Sequence, residues 1–376
     1  MEKQRYDDVV VGAGILGLST AWALVERGRR VVVVERAPRT MGATVRNFGM
    51  VWPIGQPTGE RRKLALRSRE RWLSVLSQGG GWFNTCGSLH LAHEEDELAL
   101  LDAFIANGDA GEGARMLTRE ETLALSPLVT GERLRGAMYS PSEVCVDPRA
   151  VPGAVVDLLK SRGVHFLWNE SVLGVETGVV RTSARELHST DVWVCSGDEI
   201  GGLYGEWLRS TGAVRCKLQM LRTRSAMPQM GPMLAAGLTL AHYESFRKTP
   251  GHAALVQRLQ ADWPRHFRWG IHVMASQHGD GSLTLGDSHE YGDAIGVYDQ
   301  NEIDDLILSY LRRFLPISDS LIEQRWAGYY LKHPTEPWLV MQPEDRVHLL
   351  TGVGGAGMTL SFGLTEKVVT EAIGPV

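Results

Sequence analysis

Cysteine is scarce in this sequence: Cys86, Cys145, Cys195 and Cys216 are the only four in 376 residues, and no two form a CxxC pair. Such spacing argues against a disulfide framework and predicts reduced, mostly buried thiols of a cytoplasmic protein. Long apolar runs are missing as well. None approaches the roughly 18 residues that a membrane-spanning helix requires, so no membrane partner is expected. Charge of one sign is never concentrated. Lys and Arg total 39 against 44 Asp and Glu, a net charge of −5 spread along the chain. Without a basic block, nucleic acid is not an expected partner either. The 12 histidines include no HExxH, and none stands with cysteine at zinc-ligand spacing; no metal site is read from the sequence. Residues 1–5 run straight into a strand-like segment, so no signal peptide is expected.

What is present suits a folded protein with a sizeable core: 43% hydrophobic and 22% charged residues, enough chain for about two domains. Residues 7–11 form a short apolar run that meets Gly12, Gly14 and Gly17 in a GxGxxG pattern. Helical character follows over 15–27, and then the β-branched run Val31, Val32, Val33, Val34 ends at Glu35. Strand, glycine turn, helix and strand in this order make a βαβ unit. Further along, helices are expected over 60–76, 148–163 and 302–314. Strands of a second, antiparallel sheet are expected at 86–92, 268–276 and 282–288, and several short strands within 164–195. The chain closes with a strand over 347–351, a glycine-rich turn and a helix over 359–372. The fold class is α/β (α+β overall), a Rossmann-like βαβ domain beside a mostly antiparallel domain.

Each part of the first motif has a physical reason. Gly12 permits the tight turn, Gly14 lets the backbone approach a pyrophosphate, and Gly17 lets helix and strand pack closely. Ile15 and Leu16 begin a helix whose unpaired N–H groups face the phosphates. Glu35 can accept hydrogen bonds from the adenosine ribose hydroxyls. The motif alone leaves NAD and FAD open, and Glu35 disfavours the 2′-phosphate of NADP. A second strand-to-helix glycine turn, Gly352 to Gly357 followed by Met358 and Thr359, favours FAD. A helix start of this kind can stabilise negative charge on a reduced flavin, which a nicotinamide does not develop there.

Taken together, the sequence resembles the D-amino-acid oxidase superfamily, in its glycine oxidase and sarcosine oxidase branch, over nearly the whole chain. The resemblance rests on Gly12 to Gly17 with Glu35 and Arg36, and on Ala43, Thr44, Val45, Arg46 and Asn47, similar to the family's segment beside the isoalloxazine. It continues through Val146, Asp147 and Pro148, through Val194, Cys195, Ser196 and Gly197, and through Trp326, Ala327 and Gly328. It ends on the terminal helix with Gly354, Gly355, Gly357, Met358 and Thr359. It implies an FAD-binding domain of residues 1–81, 144–211 and 321–376 and a substrate domain of 82–143 and 212–320. Val172 would contact the adenine through its backbone, and Ser196 and Gly197 would lie near the pyrophosphate. Some relatives tether flavin through a cysteine near Trp326, where this chain has none, so FAD is expected to be non-covalent.

The resemblance further implies oxidation of the C–N bond of a small amine. Hydride passes to flavin N5, the imine hydrolyses, and molecular oxygen is reduced to hydrogen peroxide. Where glycine-oxidase-like members carry a carboxylate-binding arginine, this chain has Tyr329, Tyr330, Leu331 and Lys332. Candidate substrate-site residues are therefore Arg46, Tyr330, Lys332, His272 and Arg268, with Trp269, Tyr291, Tyr329 and His289 as further wall or charge. They would hold a carboxylate or phosphonate. Thr284 stands where related oxidases place an oxygen-activating lysine, which leaves open a dehydrogenase with another electron acceptor. The stretch from Ser276 to Glu290 also resembles a subfamily associated with aminophosphonate breakdown, which implies an N-methylated or free aminoethylphosphonate. An NAD-dependent dehydrogenase and a non-catalytic FAD-binding subunit are the alternatives.

Overall fold

The computed structural model describes residues 5–292 and 294–375; residues 1–4, most of the segment read against a signal peptide, lie outside them. Strands Asp8–Val11 and Val31–Glu35 lie side by side and parallel, Asp8 opposite Val31 and Val11 opposite Val34. They form the middle of a six-stranded sheet ordered Leu339–Glu344, Val347–Thr351, Asp191–Val194, Asp8–Val11, Val31–Glu35, His165–Trp168. All pairs are parallel except the antiparallel edge strand Leu339–Glu344. Helices Ile15–Val25, Glu60–Gly79, Val151–Ser161 and Gly357–Ile373 share one core with one face. A three-stranded sheet of Val172–Glu176, Val179–Thr182 and Glu186–His188 packs on the other. Burial on both faces explains why these strands read as continuous valine runs rather than alternating ones.

The second sheet has nine strands and is mostly antiparallel. At its heart Val214–Thr223 pairs with Leu283–Gly286 on one side and with Ile322–Lys332 on the other. Ser88–Ala92 and Met233–Ala235 supply its one parallel pair among the described residues. Lys332, at the end of Ile322–Lys332, bridges to Val353 beyond the first sheet's strand Val347–Thr351. The second glycine turn and the second sheet are thereby joined at one point. Among the described residues, no helix is long and apolar enough to cross a membrane.

The helices expected over 60–76, 148–163, 302–314 and 359–372 appear as Glu60–Gly79, Val151–Ser161, Asn301–Leu311 and Gly357–Ile373. The strand expected over 268–276 is a correction. Pro264 starts a short helix that runs to Arg268, because proline suits the first turn of a helix. Gly270 then turns with φ +56°, where a Cβ would meet His289 Cβ at 2.9 Å. Regular pairing begins only at Met274–Gln277.

Candidate cofactor and substrate site

A cleft of about 970 Å³ opens between the two sheets. The first glycine turn forms part of its wall for specific steric reasons. Gly12 has φ +100°, and a Cβ there would stand 2.5 Å from the Cys195 carbonyl oxygen. A Cβ on Gly17 would fall 1.9 Å from the Gly12 carbonyl oxygen, so helix and turn touch backbone to backbone. Gly17 itself lies behind the wall. Gly14 is different: its nearest neighbour would be Thr44 Oγ1 at 3.5 Å, which leaves its face open to a ligand.

Glu35 braces this turn. Its Oε2 accepts the Ala13 N–H at 2.8 Å and its Oε1 the Ala37 N–H at 2.9 Å. Two of the carboxylate's four acceptor directions are thus used, and the side chain lines the cleft. The Ile15 N–H donates to Thr44 Oγ1 at 2.8 Å. Asn47 spends its amide on the local turn, donating to the Ala43 and Thr44 carbonyls and accepting from the Gly49 N–H. Arg36 pairs with Glu199 at 2.8 Å. Val172, Ser196 and Gly197 also line the cleft, and the buried Ser196 hydroxyl has no partner among the described residues.

The second glycine turn reaches the same cleft. Gly352 and Gly354 have φ +69° and +57°, and the helix Gly357–Ile373 starts immediately after. A Cβ on Gly357 would lie 3.8 Å from Ile15 Cγ2, so the two helix starts are neighbours. Met358 and Thr359 hold that start in place: the Met358 carbonyl accepts from Trp72 Nε1 at 2.8 Å, and Thr359 Oγ1 accepts the Trp52 N–H at 3.0 Å. Gly355 also lines the cleft. Arg46 lies between the turns and the second sheet. Its guanidinium reaches the Ala327 carbonyl at 3.5 Å, while Trp326 Nε1 donates to the Arg46 carbonyl at 3.3 Å.

At the second sheet, the cleft is lined by Tyr330, Lys332 and His272, joined by His289 and by His242, Tyr243, Arg247 and Asp287. His242 stacks on His272 with ring centroids 3.8 Å apart, and His289 lies 4.7 Å from the first and 5.2 Å from the second. His272 Nε2 is 3.1 Å from a carboxylate oxygen of Asp287. Burial pushes the pKa of all three imidazoles down, that of His289 to about 4. Burial also lowers the pKa of the Lys332 ammonium, which donates to Tyr291 Oη at 3.3 Å. Arg268 stays outside the lining, exposed and stacked on Trp269 at 5.1 Å. Tyr291 and Trp269 do not line the cleft either. Sequence reasoning missed His242, Tyr243, Arg247 and Asp287. His242, Tyr243 and Arg247 lie together at or just past the end of the short helix Gly237–His242, and Asp287 precedes His289 by two residues; neither stretch carries a motif that marks it as a site.

Two helix starts on one cleft, a braced acidic residue at the end of the second strand and an orphaned serine define a dinucleotide-binding oxidoreductase. Over residues 7–371 the sequence matches the family described as DAO: FAD dependent oxidoreductase, and the chain belongs to that family. It is 27% identical over 206 residues to L-2-hydroxyglutarate dehydrogenase of Escherichia coli O17:K52:H18, covering 51% of this chain and 47% of that protein. To mouse sarcosine dehydrogenase it is 28% identical over 189 residues, 47% of this chain and 20% of the relative. These matches span about half or less of the relatives' length. Among solved structures, glycine oxidase from Geobacillus kaustophilus superposes with TM-score 0.78 at 20% identity, covering 98% of this chain and 95% of that one. L-Proline dehydrogenase from P. horikoshii does so with TM-score 0.76 at 20% identity, covering 98% and 94%. At such identities the likeness is one of fold.

FAD is the family's cofactor, and the residues present fit it. The open face of Gly14, the remaining acceptor capacity of Glu35 and the unpartnered Ser196 hydroxyl line one cleft and offer the groups that a dinucleotide's phosphates and ribose would take up.

Proposed function

We propose that the protein oxidises the C–N bond of a small amine that carries a carboxylate or phosphonate, with N-methylated aminoethylphosphonate among the candidates. One observation carries this reading: the cleft that fits FAD continues to Lys332 and Arg247, two cations with no salt bridge among the described residues, while their neighbour Glu244 is paired with Arg61. FAD bound there supplies a two-electron acceptor for the hydride that leaves the carbon next to nitrogen. Lys332 and Arg247 hold the anionic end, and Tyr330 and Tyr243 wall the remainder. Hydride loss needs a neutral amine, and removing a proton from an alkylammonium of pKa about 10 costs about 4 kcal/mol at pH 7. Exclusion of water by the aromatic walls reduces that cost.

The acceptor of the second half-reaction is read as molecular oxygen, with hydrogen peroxide as product. A dehydrogenase is the second reading, because Thr284 is buried, bonded to His278 Nε2 at 2.7 Å, and outside the cleft lining. Non-covalent attachment is supported by Cys195, the one cysteine lining the cleft among the described residues, whose thiol burial pushes up to about 12. Such a thiol is a poor nucleophile. The test is anaerobic addition of small amines with carboxylate or phosphonate ends to the purified yellow protein. The visible flavin bands are expected to bleach with anionic amines and to persist with 2-hydroxy acids. Bands that no amine bleaches would overturn the reading.

A further inference from the structure

Three histidines in one cleft wall are more than recognition of an anion calls for. We infer that His242, His272 and His289 form a binding site for one divalent transition-metal ion of the zinc class. One ring nitrogen from each lies within 4.8 Å of the other two. Nitrogens that share a tetrahedral zinc at about 2.05 Å stand roughly 3.3 Å apart, so closure needs side-chain rotations of an ångström or two (about 1.5 Å at most between any pair) and no movement of strands. The partners of the opposite ring nitrogens already suit coordination. His289 Nδ1 lies 2.8 Å from the Gly270 carbonyl oxygen, which can only accept, so the proton sits on Nδ1 and Nε2 keeps its lone pair. His272 Nε2 faces Asp287, and its Nδ1 is buried without a partner among the described residues. A carbonyl behind a ligating imidazole, as at His289, fixes the tautomer at metal sites. Asp287 Oδ1, 3.1 Å from His272 Nε2 and not hydrogen-bonded to it, stands where it can do the same for His272.

Asp287 supplies a second, independent reason. Its side chain is 7% exposed and stands 3.1 Å from His272 and 4.0 Å from His289, with no Lys or Arg paired to it among the described residues. Its Oδ1 is buried without a hydrogen-bond partner among the described residues, and an N–H on His272 Nε2, fixed there when Nδ1 takes a metal ion, gives it one. All three rings line the cleft, so the ion keeps a coordination position open to solvent or ligand, as catalytic rather than structural zinc does. An oxygen of a carboxylate or phosphonate fits that position. This last clause rests on the proposed substrate class, whereas the metal site itself does not.

The full FAD-loaded chain, stripped with a chelator, is dialysed against Zn(II) and the retained metal counted by mass spectrometry. Wild type is expected to retain one equivalent, and His242→Ala and His289→Ala to bind at least about tenfold more weakly, with His252→Ala unchanged. The flavin spectrum and thermal melting show that each variant is folded, and His242→Gln, at a half-buried position, serves if the alanine variants do not fold. X-ray absorption of the Zn(II) protein is expected to show a nitrogen-rich shell. Wild type without stoichiometric zinc, or variants that keep wild-type affinity, would overturn the site. Zinc binding by a protein that no anionic amine reduces leaves the metal site standing and removes only the proposed function.

Discussion

Ala13 and Glu35 are joined across the first glycine turn: the Ala13 N–H donates to Glu35 Oε2 at 2.8 Å, while Oε1 takes the Ala37 N–H. One carboxylate thus ties the end of the second strand to the first glycine turn. Glu35→Gln keeps the shape but has a single acceptor oxygen, so one part-buried N–H loses its partner. Leaving such a donor unpaired costs about 1–3 kcal/mol. FAD affinity is expected to fall at least about tenfold, read as recovery of flavin fluorescence on dilution. Equal flavin retention by both proteins would show that Glu35 contributes nothing to the site.

Gly14 and Gly17 separate binding from folding. By helix propensity alone, Gly17→Ala would gain about 1 kcal/mol. Instead its methyl would enter the Gly12 carbonyl at 1.9 Å, and the turn must part from the helix. A melting temperature several degrees below wild type is expected even without flavin. Gly14→Ala meets nothing closer than Thr44 Oγ1 at 3.5 Å, so the apoprotein should melt as wild type does and bind FAD poorly. A Gly17→Ala apoprotein as stable as wild type would contradict the packing described.

This contrast also marks what could be read from residues alone. The first βαβ unit and the terminal glycine helix are contiguous, so the pattern of Val31 to Val34, the glycines and Glu35 reveals both the sheet and the cofactor class. The wall beyond them is assembled at long range. His242 ends a short helix, His272 follows the irregular turn at Gly270, and His289 lies past Gly286. No periodicity connects the three, and only pairing of Val214–Thr223 with its neighbours brings the second sheet to the cleft. Tyr330 and Lys332 could be named because they follow Trp326, Ala327 and Gly328. Arg268 was named for its charge, and the helix begun by Pro264 carries it outside.

Glu366 fastens helix Gly357–Ile373 to helix Glu60–Gly79. Arg67 and Arg71 each hold both of its oxygens, at 2.8–3.1 Å. Burial alone would raise this carboxyl, but the bonds from the two arginines outweigh it and bring the pKa down to about 2. A group lowered on folding stabilises the protein above its unfolded pKa of about 4.3, and that contribution drains away as pH falls towards the folded value. Allowing for partial exposure, Glu366→Gln is expected to cost on the order of 1–2 kcal/mol near pH 7. The gap from wild type should narrow by roughly half between pH 5 and pH 3. Urea unfolding at both pH values measures it; a gap that stays constant would rule out the ionised clamp.

Lys332 tests the proposed substrate class. Its Nζ lies over the Tyr291 ring at 5.2 Å and donates to that hydroxyl, so methionine can follow the same apolar path without the charge. If Lys332 holds the anionic end of the amine, Lys332→Met removes binding shared by ground and transition states. KM for a carboxylate- or phosphonate-bearing amine then rises about 10- to 100-fold while kcat changes little. An uncharged amine of similar size should lose no affinity. The variant should still bind flavin, because methionine keeps the side-chain stem that packs on Gly354 in the second glycine turn. If kcat falls and KM stays constant, Lys332 acts on the reacting centre instead, and the anion must be held by Arg247.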